Sequence, residues 1–147
     1  MDKGVAVFVA ALVGGLVVTQ APLNSQLGRI VGEVNASVVA LGVSFTALVI
    51  LASFYDGLGG IRNVSDAPIH VAIGGGLAGA LYVGSIVFTV RALGVGGLTA
   101  ITIAAQLGLA MVIDHFGWLG VERAPITTAK VAGVVLLALG TYLVLRD

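Results

Sequence analysis

The chain has no cysteine, and of its 147 residues only seven are Lys or Arg and seven are Asp or Glu. Without cysteine there is no disulfide, no thiolate metal site and no thiol nucleophile, and redox compartment cannot be read from the sequence. The charged fraction is 10%, against about 25% in a soluble domain, which is too little to cover a water-facing surface. Basic residues are scattered and balanced by acids, so the electrostatic footprint of a nucleic-acid binder is missing. No H-E-x-x-H, Walker or nucleophile-base pattern occurs, and no Asp, Glu, Lys or Arg stands at the centre of any long apolar run. The expectation is a protein that is not an enzyme, with no metal, no cofactor and no ATP-driven step of its own.

What the chain has instead is hydrocarbon and glycine: 59% of residues are in the AVILMFWYC set, and 22 more are Gly. Such a chain belongs in a lipid bilayer. Five stretches, about 4–27, 36–55, 69–90, 93–113 and 126–145, have the length that crosses a ~30 Å hydrocarbon core. The expected fold is all-α, an integral membrane bundle of five transmembrane helices forming one domain over 1–147. Met1-Asp2-Lys3 before an apolar run resembles the start of a signal peptide. However, Pro22 stands just after Thr19-Gln20-Ala21, the only plausible small-residue site, where it would block cleavage, so the first span reads as a retained helix.

An odd number of spans places the termini on opposite sides. The N-terminal side then holds Lys3, Arg62, Arg123 and Lys130, and the other side Arg29, Arg91 and Arg146. Four against three is almost no bias. Such a chain can insert in both orientations, and two oppositely oriented copies could pair as an antiparallel homodimer, reproducing the inverted repeat of larger transporters. The alternative is an orientation set by a neighbouring protein or by that single charge.

Polar groups inside a membrane cost free energy, so their positions are the informative letters. In the first span Gln20 and Asn24 are four apart on one helix face, and Pro22 between them is expected to kink or interrupt the helix by freeing a carbonyl. In the fourth span Thr99, Thr102 and Gln106 share a stripe, with Gln106 near mid-membrane, where it should face a partner helix or a cavity rather than lipid. Tyr82 and Ser85 form a weaker stripe on the third span. Gln20, Asn24, Tyr82, Ser85, Thr102 and Gln106 are the candidate substrate-binding residues. Asp114 and His115, at the end of the fourth span, are the candidates for proton coupling. Each set also has a plain reading as interfacial residues or as glue between helices.

The glycines carry a different signal. Gly75 and Gly79 make a G-x-x-x-G, and Gly133 and Gly140 stand seven apart on the fifth span. Small residues at such spacings let backbones approach closely, so these four are expected at helix packing or dimerisation surfaces, with Pro22 as a bending point.

The runs GGLVVTQAPLNSQLG (14–28), GGGLAGALYV (74–83), LGVGGLTAITIAAQLGLAMVIDHFGWLG (93–120) and AGVVLLALGTYLV (132–144) cover most of the chain. In them the sequence resembles the YdcZ-like family of small bacterial inner-membrane proteins, a branch of the drug/metabolite transporter (DMT) superfamily. The resemblance implies a five-helix unit comparable to half of a ten-helix DMT transporter. It also implies a homodimer or paired heterodimer, a small-molecule substrate that is exported or exchanged, and a multi-pass location in the bacterial inner (plasma) membrane. Its motif residues fall on Gln20, Asn24, Gln106 and Asp114. Unlike the four-helix multidrug relatives, this chain has a fifth span and no first-helix glutamate, a departure that counts against the proton-for-cation mechanism of those relatives. The resulting expectation is a transporter working by alternating access. The rival is a non-transporting structural or regulatory subunit of a membrane complex.

Overall fold

The computed structural model describes residues 2–55 and 57–146. Their order is α1 (Lys3–Val31), α2 (Glu33–Tyr55), a 3-10 stretch (Leu58–Asp66), α3 (Ile69–Phe116), a short turn (Trp118–Gly120) and α4 (Thr128–Arg146). Among the described residues there is no strand. The four α-helices are all long and apolar enough to cross a membrane.

At 48 residues, α3 would rise about 72 Å if it were straight, more than twice the hydrocarbon thickness. It is broken at Gly94, whose φ of 68° and ψ of 171° are non-helical. A positive φ of this size is open to glycine at little cost. The break divides α3 into a first arm, 69–93, and a second arm, 95–116, roughly 37 and 33 Å long at 1.5 Å per residue. Each arm can cross the bilayer once, so the four α-helices supply the membrane-spanning bundle expected from the sequence.

Two expected boundaries move. The first helix runs past residue 27 to Val31 and the second begins at Glu33, so the whole connection is Gly32, with φ 90° and ψ 150°. Its N–H donates to the Gly28 carbonyl at 3.0 Å and its own carbonyl accepts from Ala36 at 2.9 Å, so the chain turns with its backbone polar groups paired. Pro22 does not interrupt α1, which stays helical on both sides of it. Loss of one N–H is tolerated because the face around it, at Ala21, Asn24 and Ser25, is held by packing.

The chain divides into two compact units, residues 1–91 and 92–147. In the first, the buried residues gather where α1, α2 and the first arm of α3 meet. Ala21, Asn24, Ser25 and Gly28 are buried on α1, Ala36 and Ser37 on α2, and Val83, Ile86, Val87 and Val90 on the first arm of α3. On α1 and on the arm the buried positions follow i, i+3, i+4, i+7, the spacing of one helix face. Small side chains on α1 and α2 receive branched ones from the arm. Val87 is 0% exposed, and a Cβ placed on Gly28 would lie 3.0 Å from its Cγ1. In lipid such contacts are held by close packing, because hydrocarbon outside is as apolar as hydrocarbon inside.

In the second unit α4 packs on the second arm. A Cβ on Gly97 would lie 3.0 Å from the Leu145 Cδ2, Leu98 is buried, and Thr141, 8% exposed, donates to the Ala100 carbonyl at 3.1 Å. The returning loop satisfies carbonyls at the end of the second arm. The Ala124 N–H donates to Asp114 O at 2.9 Å, and Arg123 Nε donates to Phe116 O at 3.2 Å. Such groups have no partner within the helix itself. The other faces of all the helices are apolar and exposed, as a bilayer requires.

Candidate functional site

The hydroxyls along the spans are mostly engaged with their own helices. Ser44, Thr46 and Ser53 on α2, Ser85 and Thr89 on the first arm, and Thr99 and Thr102 on the second arm all donate to carbonyls three or four residues earlier. A hydroxyl paired in this way can stand in hydrocarbon at small cost. It therefore marks no site by itself. Two of the candidate residues, Ser85 (to Leu81 O, 2.7 Å) and Thr102 (to Leu98 O, 2.9 Å), are of this kind; each keeps acceptor capacity only.

Asn24 differs. It is 8% exposed, and its Nδ2 is buried without a hydrogen-bond partner. A buried amide donor left unpaired costs about 1–3 kcal/mol, so such a group calls for a reason. It lies in the first unit's joint, on the same face of α1 as Ser25 and Gly28. Gln20, one turn earlier, is half-buried, and so is Tyr82 on the first arm.

Immediately beside Asn24 is a charged network with no counterpart among the residues singled out from the sequence. Arg91, at the end of the first unit, pairs through Nη1 with the Glu33 carboxylate. Its Nε donates to Ser25 Oγ at 3.4 Å and its Nη2 to the Ser25 carbonyl at 3.3 Å. One guanidinium thus ties the first arm of α3 to the C-terminal part of α1 and to the first turn of α2. Gly28 makes room for it: a Cβ there would stand 3.3 Å from Nη2. Glu33 also suits its place, since a carboxylate in the first turn of a helix faces the positive end of the dipole.

Arg91 and Glu33 are 58 positions apart, and each reads in the sequence as an ordinary charge at the edge of a span. A signal existed all the same. Counting loops by side puts both at the same membrane face, where Glu33 is the only acid between spans.

The second unit holds the remaining candidates. Gln106, halfway along the second arm, is exposed within its unit. Asp114 is half-buried, and its backbone carbonyl accepts from Ala124. His115 is exposed and meets Phe116 edge to face at 5.0 Å, while Phe116 stacks on Trp118 at 5.1 Å. Aromatic side chains gathered at a helix end suit the membrane-water boundary. Among the described residues no group of His, Asp or Glu could hold a metal ion.

The four glycines expected at packing surfaces, Gly75, Gly79, Gly133 and Gly140, have no atom within 4 Å of the position a Cβ would take. Within each unit, close approach between helices occurs at Gly28 and Gly97.

Residues 5–143 match the family described as "Putative inner membrane exporter, YdcZ". No curated protein and no solved structure matches the chain.

Proposed function

Since the chain belongs to the YdcZ family of inner membrane exporters, we propose that it moves a small solute by alternating access, with the buried amide of Asn24 as a hydrogen-bond donor to that solute. The observation that carries this reading is the unpaired Asn24 Nδ2. Its desolvation is a standing cost that a bound acceptor would relieve. Gln20, one turn away and half-buried, supplies a second neutral amide on the same face. Tyr82 and Ser85 offer acceptors in the same unit; in the second unit Thr102 offers an acceptor and Gln106 an amide. Asp114 and His115 are the groups available for proton coupling.

The working unit in this reading is an antiparallel dimer. An exposed glutamine at mid-span is costly in lipid, and a second copy would cover it. The open positions at Gly75, Gly79, Gly133 and Gly140 leave room for close approach of that copy. The near-even division of basic residues between the two sides allows both orientations.

Solute flux into proteoliposomes, screened over a metabolite panel, tests the reading. Asn24→Ala should abolish most of the flux and Gln106→Ala should reduce it, with both proteins folded. Unchanged flux in both variants would remove these residues from the site. Reporter fusions at the C-terminus test the assembly: a single fixed location would sink antiparallel pairing of identical chains.

A further inference from the structure

A groove of about 350 Å³ runs between α2 and the first arm of α3. Val34, Val38 and Leu41 line it from α2, and Leu81 and Phe88 from the arm. Its two serines, Ser37 and Ser85, give their hydroxyl protons to the carbonyls of Glu33 (3.2 Å) and Leu81 (2.7 Å), so the lining presents hydrocarbon. The residues concerned, 34–41 and 80–88, extend about 12 Å along the helix axes at 1.5 Å per residue.

One end of the groove is polar. Val34 follows Glu33 in the chain, and Phe88 lies within one turn of Arg91, so the Arg91–Glu33 pair stands at that end. Both side chains are about one-third open, at 33% and 31%. A guanidinium has five N–H donors. Three contacts, to Glu33, Ser25 Oγ and the Ser25 carbonyl, leave donors free for a further acceptor. Arg29, exposed in the last turn of α1 and one turn beyond the Ser25 that Arg91 contacts, adds a second cation to the one acid on these neighbouring turns.

We propose that the groove and Arg91 together hold a single-chain amphiphile with a carboxylate head, the tail lying along the groove and the head competing with Glu33 for the guanidinium. The excess of cation over acid selects an anionic head, and planar guanidinium and carboxylate match one another bidentately. A single chain is selected because one groove of one-chain length adjoins the guanidinium. The tail gains little free energy over its place in the bilayer, since lipid is equally apolar. Discrimination therefore resides at the head. The inference gives the solute class for the transport reading above and rests on it, but binding and flux are separable measurements.

The test is saturable binding of radiolabelled decanoate to the full-length protein in phosphatidylcholine nanodiscs. Arg91→Gln should weaken binding about tenfold, the scale of a lost charge-assisted pair. Gly84→Leu covers the case in which the arginine variant fails to fold. Gly84 lines the groove and has nothing within 4 Å of its Cβ position, so a leucine there takes up groove space and should weaken binding by a comparable factor. Glu33→Gln should tighten binding severalfold by removing the competing carboxylate.

Equal binding by wild type and all three variants would overturn the proposal. So would weaker binding in Glu33→Gln, which would indicate a zwitterionic head, or displacement of decanoate by phosphatidylglycerol doped into the disc, which would assign the groove to bilayer lipid. Flux of another solute that depends on Asn24, with no decanoate bound, sinks this site and leaves the transport reading. Decanoate bound but never transported supports the site and counts against that reading.

Discussion

Each unit of the chain closes a helix contact on a glycine, and the two contacts are of opposite character. At Gly28 the neighbours are a fully buried valine, an arginine and the backbone of α2, with an unpaired amide on the same helix face. At Gly97 the close neighbour is the far end of Leu145, and the polar link between the two helices is the neutral bond from Thr141 to Ala100. The second contact is what a membrane helix pair needs for cohesion: small residue, large residue, one hydrogen bond. The first contains more than cohesion requires. Charge and an unsatisfied donor are expensive in this solvent, and proteins carry such costs where function asks for them. The contrast separates a joint built to hold something from one built to hold together.

The largest expected effect is at Arg91. Replacing it with alanine removes three hydrogen bonds at once and leaves Glu33 without its partner. A loss of about 2 kcal/mol is expected, in line with hydrogen bonds to charged groups and reduced by the partial exposure of the pair. Thermal denaturation in detergent would measure it. An unchanged midpoint would mean that the network does not tie the joint.

Asn24 should behave in the opposite sense. Asn24→Leu exchanges an unpaired buried donor for hydrocarbon of similar shape and should stabilise the protein by about 1 kcal/mol while flux is lost. Destabilisation would show that the amide has a structural partner and would weaken its assignment to a solute.

The glycines compare the two joints directly. Gly28→Ala places a methyl group against Val87, Arg91 and the α2 backbone and should cost about 1 kcal/mol through overpacking. Gly97→Ala meets the movable Leu145 tip and an ordinary contact with the Leu93 Cβ, and the gain in helix propensity, up to about 1 kcal/mol, should offset the clash. Equal melting shifts for the two variants would erase the distinction between the two joints.

The smallest effect belongs to Thr141→Val, which deletes one neutral interhelical bond. About 0.6 kcal/mol is expected, the average for such bonds in membrane helices, with no change in transport. A transport defect in this variant would bring the second unit into the site.

The long apolar helices were legible from composition and length, because lipid imposes a requirement that each apolar run meets or fails by itself. Gln20 and Asn24 were legible for the same reason: an amide in hydrocarbon is conspicuous wherever it folds. Their difference was not. One is half-buried, while the other is buried with its donor unpaired. The glycine spacings did not single out the contacts seen within each unit. There the close approaches between helices are at Gly28 and Gly97, which stand outside the spaced pairs. Spacing records what a helix face permits, and only a neighbour decides whether it is used.

By itself, then, the sequence determined the solvent, the helices and the few polar groups that membrane burial makes costly, because each of these follows from the free energy of transferring a local segment into lipid. Tertiary structure alone decided that Arg91 meets Glu33 and Ser25, and that Asn24 is left without a partner beside them. Pairing of charges 58 residues apart depends on distances of a few ångströms, and those distances arise only when the turn at Gly32 and the packing on Gly28 bring three helices to one place.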